Sequence, residues 1–558
     1  MILNIKEFFN KDIIGLVKKS FAKIDEIDKK TFLWIFVALN VMFIFHTINF
    51  LFGNHDWWAI KDGVQWDTFF FNGRFSATAI KMILLNGQVL PILNNLIAFF
   101  FYALGSVLLL NYWNAPKNIL QRVLIGFVLT LTPFTNVWLW FAYHTIENLS
   151  IPFFVTLGLI LAIKNFDNIY CAILQKVLSV VFLTLALGIY PSAIVNILTI
   201  FSCKFLLDNL SDGIFEFKRV FLKHKWSFIN IALSFISYKL ILVYMGYKNL
   251  LADVINIQSA GLGQILQNIL PAMKSAFQQI FNYRFICMPQ SITILFAVLF
   301  VFLILFGIYK VLVSESSKID KLKKIIIYSI LALAPLFATK VASILALKNV
   351  FYSIRIDIYG LVFLRGMIVL LLFKYGNNFI KNITYLLVVA ILWISLIANF
   401  VCQKSLKLAH TSEFMRMNRM IQELYLNKDF VKGKGYKLIS IGYPKPLRPK
   451  YIPQKYKRKA KPDVSMGSHT LIPEWDPLVV LEFFVEEDFI CDKKVYVVHE
   501  ETGVLLVNTL SENELKFLEK ALPRMSLKDS ENIQIIDDTI VCVFSEKSLE
   551  KLKNSIID

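Results

Sequence analysis

The chain has 558 residues, of which 56% are hydrophobic and 15% aromatic, while only 18% are charged. Soluble globular proteins carry about 25% charged residues, and the mean hydropathy of +0.59 is also strongly apolar. This composition excludes a water-soluble protein of this size. The long uncharged runs lie almost entirely within residues 31–402, so we predict a polytopic membrane protein that ends in a soluble tail.

The formal net charge of +19 is explained largely by membrane orientation. Lysines are frequent before the first apolar run, Thr31 to Phe52, and they predict a cytoplasmic N-terminal segment at residues 1–30. The run is longer than the roughly 20 residues that cross a bilayer, and no cleavage pattern of small residues follows it. We therefore expect a retained signal anchor and no nucleic-acid partner.

The apolar runs predict a mainly α-helical fold with eleven membrane spans. Alternation from a cytoplasmic N-terminus leaves few basic residues in the outside loops, which satisfies the positive-inside rule. The transmembrane domain is then residues 31–402, and the odd number of spans places residues 403–558 in the periplasm of a bacterial cell. In chain order, the predicted spans are 31–52, 89–112, 119–141, 150–164, 171–188, 191–207, 226–246, 291–312, 325–346, 359–374 and 382–402.

The tail has the mixed pattern of a small α+β domain. An amphipathic helix is predicted near 404–427, and a hairpin turns at Asp537-Asp538. Cys491 and Cys542 could form a disulfide or remain two buried thiols. The basic loop 445–461 is either solvated or a clamp for anionic lipid headgroups or a phosphorylated glycan. Further elements are the strand-like runs YKLISIGY, DPLVVLEFFVE, KKVYVVHE and TGVLLVNTL, and a helix at 512–522 opened by the capping box Ser511 and Glu514.

The first outside loop, residues 53–87, concentrates the residues suited to chemistry. Tryptophan populates every interfacial belt, but a belt does not account for an acid directly after a span. A carboxylate at this level could accept a proton from a hydroxyl group, or it could cap the next helix. The loop contains Asp56, Asp62, Asp67 and Arg74 among Trp57, Trp66 and further aromatic residues.

These residues resemble a known family. Asp56 directly after a first span, an aromatic stretch to Trp66, and the Gly73-Arg74 pair are similar to the serotype-converting O-antigen glucosyltransferases, multi-span enzymes of the GT-C class. The segment 131–153 resembles the family's Pro-aromatic end of a span, and Tyr190-Pro191-Ser192 resembles its turn between two spans. The resemblance covers roughly residues 31–402 in order and spacing.

The sequence departs from the family pattern at two positions. The family often has two adjacent acids where this chain has His55-Asp56, so either one acid suffices or Asp62 or Asp67 supplies the second. Its Gly-Arg-Pro motif reads Gly73-Arg74-Phe75 here, which bears on the shape of the loop.

The resemblance implies a hexosyltransferase of the bacterial cytoplasmic membrane. Such an enzyme moves a sugar, here glucose, from a polyprenyl-phosphate donor to a glycan acceptor on the outer face. It works among membrane lipids, together with the enzymes that make and flip its donor. Asp56 would be the general base, and Arg74 would contact the donor phosphate or brace the loop through Asp56 or Asp67. Sugar or acceptor contacts would come from Asp62, Asp67, Trp57, Trp66, Glu147 and Tyr190.

Cations in the apolar segments are further candidates for the donor phosphate. An isolated cation in a span costs at least about 2.5 kcal/mol, so it normally snorkels outward or faces a polar cavity. The candidates are Lys239, Lys340 and Arg355, with Arg355 first, and Arg365 as an alternative. No cofactor is certain. Three loop aspartates could hold a divalent ion, but they lack the spacing of a calcium loop and the mechanism does not require a metal.

Two other functions would use the same kind of substrate. An O-antigen polymerase usually carries its functional arginines in one large outside loop, but residues 247–290 contain one arginine, Arg284. A flippase or transporter for lipid-linked sugars often has internal repeats and charges at the bilayer midplane, and we detect no repeat. The segment 247–290 instead resembles interfacial amphipathic helices, broken at Gly261-Leu262-Gly263 and at Pro271.

Overall fold

The computed structural model describes residues 25–49, 51, 56, 59–60, 63–66, 73–139, 141–163, 168–211, 217–245, 262–282, 290–313, 317–345, 354–441, 490–496, 512–522, 532–543, 549–550 and 552. In these residues the helices are α1 (Glu26–Met42), α2 (Ile44–Asn49), α3 (Phe75–Leu85), α4 (Pro91–Tyr112), α5 (Ile119–Thr130), α6 (Thr135–Leu139), α7 (Thr145–Ile163), α8 (Ile169–Ile189), α9 (Ala193–Ser211), α10 (Phe217–Tyr244), α11 (Leu262–Asn282), α12 (Gln290–Val313), α13 (Lys318–Ala338), α14 (Val341–Leu345), α15 (Ile354–Tyr375), α16 (Asn378–Leu426) and α17 (Glu512–Ala521). The strands are β1 (Gly435–Ile441), β2 (Ile490–Tyr496), β3 (Asn532–Ile536) and β4 (Thr539–Val543), and a 3-10 turn, Ala142–His144, leads directly into α7.

Within the described ranges, seven helices are long and apolar enough to cross a membrane. They are α4, Ala142–Ile163, α8, Ala193–Leu210 in α9, α10, Ser291–Val313 in α12, and α16. The chain is therefore a mainly α-helical polytopic protein. The other four predicted spans coincide with helices that are not among these seven, namely α1 with 17 residues, α5 with 12 residues, α13 and α15.

The predicted span 119–141 is not one continuous helix. α5 ends at Thr130, and Pro133 follows three residues later. Proline has no N–H group and its ring clashes with the preceding turn, so a helix does not readily continue through it. The chain instead forms α6 and the 3-10 turn before α7, and every described residue between 131 and 144 is buried. Residues 131–144, which were expected to form the end of a span and the start of an outside loop, are thus buried wherever the structure describes them.

Glycines allow neighbouring apolar helices to approach closely. At Gly105 of α4, a Cβ atom would lie 2.7 Å from the backbone nitrogen of Phe153 in α7. At Gly158 of α7, it would lie 2.8 Å from Leu183 of α8, and Ser179 donates a hydrogen bond of 2.7 Å to the Gly158 carbonyl. Small residues and such hydrogen bonds are the usual basis of helix association in membranes. α4, α7 and α8 therefore form a closely packed group.

We expect the substitution Gly105→Ala to lower the free energy of unfolding by about 1–3 kcal/mol, because the new methyl group would meet backbone atoms that cannot rotate away. Gly263→Ala is the matched control, since no atom lies within 4 Å of its Cβ position. Thermal unfolding of the two variants in detergent measures the difference. Equal melting temperatures would contradict the close contact between α4 and α7.

The amphipathic segment after α10 is less broken than expected. Leu262–Asn282 forms the single helix α11, and Pro271 lies inside it. A proline removes one helical hydrogen bond and can be accommodated when the freed carbonyl finds another partner. The expected break at Pro271 is therefore wrong. Residues 246–261, where the preceding helix was predicted, lie outside the described part.

The last predicted span and the amphipathic helix after it form one helix. α16 extends over 49 residues, and its sequence contains no glycine or proline that would interrupt it. At 1.5 Å per residue its length is about 73 Å, whereas the apolar core of a bilayer is about 30 Å thick. A large part of α16 must therefore lie beyond the apolar layer.

The tail contains a four-stranded sheet in the order β2-β1-β4-β3. β1 pairs in parallel with β2 and β4, while β3 and β4 form the predicted hairpin at Asp537-Asp538. Asp537 has a φ of 54°, in the left-handed region that Asp tolerates better than most residues. Met420 and Leu424 of α16 pack into one hydrophobic core with residues of β1, β3 and β4. The strands predicted at 476–486 and 502–510, the capping residue Ser511 and the loop 445–461 lie outside the described residues.

By its internal contacts the chain divides into two compact units. The first comprises Met1–Ile48, Val64–Trp138 and His144–Val401, and the second comprises Asn49–Gly63, Leu139–Tyr143 and Cys402–Asp558. Cys542 in β4 is buried in the hydrophobic core of the tail. The side chain of Cys491 lies outside the described part, so both alternatives for these two cysteines stay predictions.

Candidate functional site

The carboxylate of Asp56 is held by the start of the helix that begins at Ala142. Asp56 is fully buried, and its two oxygens accept hydrogen bonds from the backbone N–H groups of Ala142 (3.1 Å) and Tyr143 (3.0 Å). These amides belong to the first turn of a helix, where N–H groups have no partner within the helix. Asp56 therefore caps a helix, but one 86 residues along the chain rather than the next one.

Arg74 begins a second group of residues, in the first unit. It is the N-cap residue of α3, and Phe75 occupies the first helical position, where proline is favoured because no N–H partner is needed there. Phe75 therefore substitutes for the family's proline without disturbing the helix start, and its ring stacks on Tyr238 with centroids 6.1 Å apart.

The guanidinium of Arg74 contacts two neutral rings. Its Nη1 lies 2.9 Å from Nε2 of His144, and its carbon lies 4.5 Å from the centre of the Tyr190 ring. Because a guanidinium can only donate, Nε2 of His144 must accept, and the imidazole is then neutral. Trp138 packs edge-on against Tyr190, with centroids 6.3 Å apart. We call Arg74, His144, Tyr190 and Trp138 the Arg74 group.

The positive charge of Arg74 has no carboxylate partner among the described residues. None of the ion pairs found there involves Arg74, and its Nε–H is buried without a hydrogen-bond partner. The carboxylate of Asp56 accepts hydrogen bonds from the backbone amides of Ala142 and Tyr143, and Asp67, the other carboxylate expected to brace the loop, lies outside the described residues. The start of α3 also carries no side-chain cap, so its amide groups add to the positive potential. This arrangement suits an anion.

The other predicted cations are placed differently. Lys340 is buried, and the next residue, Val341, packs against the same small cluster of Val195 and Ala342 as Tyr190 does. Lys239 is half-buried, and its amine lies 5.7 Å from the ring of Phe235 one turn earlier on α10. This contact fits a snorkelling lysine. Arg355 lies in α15, but its side chain is outside the described part.

Arg365 is buried in the middle of α15 between two phenylalanine rings. Its guanidinium carbon lies 5.1 Å from the ring centre of Phe134 and 4.9 Å from that of Phe296. Cation–π contacts of this kind offset part of the cost of burying a charge. Arg365 is therefore neither snorkelling nor part of the Arg74 group.

Glu147, a candidate for acceptor contacts that lies between two predicted spans, is part of a helix. It lies in the first turn of α7, is fully buried, and forms an ion pair with Lys81 of α3 at 3.9 Å. Lys81, which the sequence analysis did not select, also donates a hydrogen bond of 3.2 Å to Asn94. The helical spacing of Arg74, Thr78 and Lys81 is the signal that could have identified it, since these positions share one face.

One segment, residues 131–147, supplies a partner to most of these candidates. Its contacts are Phe134 with Arg365, Trp138 with Tyr190, Ala142 and Tyr143 with Asp56, His144 with Arg74, and Glu147 with Lys81. The same stretch carries the Pro-aromatic pattern noted in the sequence.

Comparison with known proteins identifies the family. A family model described as glucosyl transferase GtrII matches residues 45–364, more than half of the chain. The chain belongs to this glucosyl transferase family. No curated protein and no solved structure matches it. The matched range contains Asp56, the Arg74 group and the Lys81–Glu147 pair.

The structure says less about the other candidate residues of this GtrII glucosyl transferase. The Trp66 side chain is 54% exposed, so a ligand can reach it. Asp62, Asp67 and Trp57 lie outside the described residues. Where the structure describes the chain, no group of three or more His, Cys, Asp or Glu side chains could hold a metal ion.

Gly73 sets the position of Arg74 in this glucosyl transferase. Its φ of 68° is in the left-handed region, and the hydroxyl of Tyr238 donates to its carbonyl at 3.3 Å. A Cβ atom at this position would lie 2.6 Å from the Tyr238 hydroxyl oxygen. Any other residue would therefore meet both backbone strain and a clash.

We expect Gly73→Ala to reduce glucosyl transfer by displacing Arg74, with a strain of about 1–3 kcal/mol at the backbone. Gly433→Ala is the matched control, because Gly433 has a similar φ of 78° but nothing within 4 Å of its Cβ position. Transfer rates and melting temperatures of both variants are the measurements. If both variants keep wild-type transfer, Gly73 does not position Arg74.

Proposed function

We propose that this protein transfers glucose from a polyprenyl-phosphate donor to a hydroxyl of a cell-surface glycan such as O-antigen. The reaction takes place on the outer face of the bacterial cytoplasmic membrane. The observation that carries the proposal is the Arg74 guanidinium, which is half-buried and lacks an acidic partner among the described residues. A phosphate monoanion or dianion is the natural partner for such a group, because the planar fork of arginine binds two oxygens at once.

Asp56 has the role of general base in this proposal. The acceptor hydroxyl attacks the anomeric carbon of the donor sugar, the bond from that carbon to the phosphate oxygen breaks, and the electron pair remains on the phosphate. The hydroxyl proton passes to Asp56. Two backbone N–H groups, those of Ala142 and Tyr143, fix the orientation of this carboxylate. Orientation of this kind favours proton transfer, because a base must lie within hydrogen-bonding distance of its proton.

The donor phosphate has more than one candidate cation. Arg74 leads, because its guanidinium contacts two neutral rings and no carboxylate among the described residues, and the buried Lys340 is the second candidate. Arg355 remains a candidate at the start of α15. Sugar and acceptor contacts are proposed for Tyr190 and Trp66, together with Asp62, Asp67 and Trp57. Glu147 receives a different role below, because it is fully buried.

The orientation of the chain is part of the same proposal. The N-terminus lies in the cytoplasm, the chain crosses the membrane eleven times, and residues 403–558 form a periplasmic domain. Cys402, at the predicted outer end of the last span, is disulfide-bonded. Structural disulfides are typical of oxidising compartments such as the periplasm.

The test uses purified protein in proteoliposomes with radiolabelled polyprenyl-phosphate glucose and an O-antigen acceptor. We expect label to move from the lipid to the glycan, and no transfer from nucleotide-linked glucose. Movement of the labelled lipid across the bilayer without transfer would support a flippase instead. Transfer of whole oligosaccharide units from a lipid pyrophosphate would support a polymerase.

A further inference from the structure

Lys81 and Glu147 form a buried pair that the proposed reaction does not use. Both side chains are fully buried, and Lys81 Nζ lies 3.9 Å from Glu147 Oε1. This distance is too long for a hydrogen bond, and neither carboxylate oxygen of Glu147 has a hydrogen-bond partner in the part of the chain that the structure describes. Lys81 is held from its other side by Asn94.

A buried ion pair of this kind contributes little to the free energy of unfolding. Removing two charges from water costs several kcal/mol per ion, and mutual attraction repays this only when the remaining lone pairs are satisfied. The oxygens of Glu147 are not satisfied by hydrogen bonds, so two apolar side chains of similar size would serve folding equally well. The pair must therefore be explained by something other than stability.

The location of the Lys81–Glu147 pair, between the same two segments that Arg74 and His144 connect, indicates what it does. Arg74 and Lys81 both belong to the α3 segment, two turns apart, while His144 and Glu147 are one turn apart at the start of α7. Residues at these spacings lie on the same face of a helix. The same two segments are thus joined twice, once by Arg74 with His144 and once by Lys81 with Glu147.

We propose that the Lys81–Glu147 pair is a positioning pair, which fixes α3 against α7 so that Arg74 faces the donor phosphate with its fork preorganised. This inference rests on the proposed role of Arg74 as the phosphate-binding residue. Neither Lys81 nor Glu147 touches the substrate. Their effect reaches the reaction through the position of the Arg74 guanidinium, so it falls on the donor and leaves the acceptor unaffected.

The first test replaces the pair by apolar residues of similar size, Lys81→Met with Glu147→Leu. We expect a melting temperature equal to or above that of the wild type. The KM for the lipid donor should rise roughly tenfold, because small displacements of binding groups have effects of at least this size. The KM for the glycan acceptor should not change. Inhibition by polyprenyl phosphate, which has the phosphate but no sugar, should weaken by the same factor.

A double-mutant cycle with Arg74→Gln separates positioning from any independent role. If the pair acts through Arg74, its replacement should not raise the donor KM further when Arg74 is already absent. Additive effects, or an unchanged donor KM in the apolar variant, would overturn the inference. If Arg74→Gln alone leaves the donor KM unchanged, it is the proposed phosphate site that fails, so the two failures are distinguishable.

A charge-reversed variant keeps the test decisive should the apolar variant fail to fold. Lys81→Glu with Glu147→Lys retains one cation and one anion between α3 and α7, and the Asn94 amide can donate to the carboxylate introduced at position 81. We expect this variant to fold with a donor KM near that of the wild type, while either reversal alone raises it. Loss of donor binding in a folded charge-reversed variant would contradict the positioning role.

Discussion

Asp56→Asn should abolish glucosyl transfer while the protein remains folded. A positioned general base contributes roughly 10²- to 10⁴-fold to a rate, and an amide cannot accept the proton of the acceptor hydroxyl. The asparagine oxygen can still accept a hydrogen bond from Ala142 or Tyr143, so the helix start keeps part of its cap. The measurement is the single-turnover rate with labelled donor, together with the melting temperature.

Asp56→Ser is the matched variant that tests the competing explanation. Serine, asparagine and aspartate are comparable caps for a helix start, but only aspartate is a base near neutral pH. If Asp56 serves only as a cap, the Asn and Ser variants should transfer glucose at close to the wild-type rate. If it is the base, both should be inactive and both should still bind the lipid donor. Active Asn and Ser variants would remove the mechanism.

Arg74→Gln should weaken binding of the lipid donor by about 10- to 100-fold, because hydrogen bonds to charged groups contribute about 1.5–3 kcal/mol. Arg74→Lys retains the charge but not the planar fork, so we expect an intermediate loss. The measurement is the KM for polyprenyl-phosphate glucose, compared with the KM for the glycan acceptor.

The control for this prediction is Lys225→Gln, which removes one positive charge from an exposed position at the start of α10. It should leave both KM values unchanged. An equal loss in Lys225→Gln and Arg74→Gln would mean that general attraction to the anionic lipid, and not a specific phosphate contact, accounts for the effect. A selective rise in the acceptor KM in Arg74→Gln would place this residue on the wrong substrate.

The helices were predictable because each depends on a local pattern. Uncharged runs predicted most of the apolar helices. Tyr190-Pro191-Ser192 predicted the turn between α8 and α9, and Asp537-Asp538 predicted the hairpin. The errors arose where a local rule competed with packing. Pro133 ends α5 within a run that is otherwise apolar enough to continue, while Pro271 is tolerated inside α11. Proline alone does not reveal which outcome follows, since that depends on what satisfies the freed carbonyl.

Two residues of the candidate site, Asp56 and Arg74, could be selected from the sequence, but the residues that contact them could not. Asp56 and Arg74 were identifiable because charged residues beside an apolar span require an explanation. That His144 binds Arg74, and that backbone amides bind Asp56, depends on contacts between residues 70 to 87 positions apart. Lys81 was missed because a single lysine in an apolar helix is usually a snorkelling residue, and only its fully buried position distinguishes it.

The segment 131–147 has a consequence for how members of this family can diverge. A single inserted residue there would rotate each following side chain by about 100° around a helix axis, and several partnerships would be lost at once. Substitutions that alter the choice of acceptor are therefore expected elsewhere, in loops whose residues can change one at a time. Insertions and deletions should be rare in this stretch of seventeen residues, even between relatives that modify different glycans.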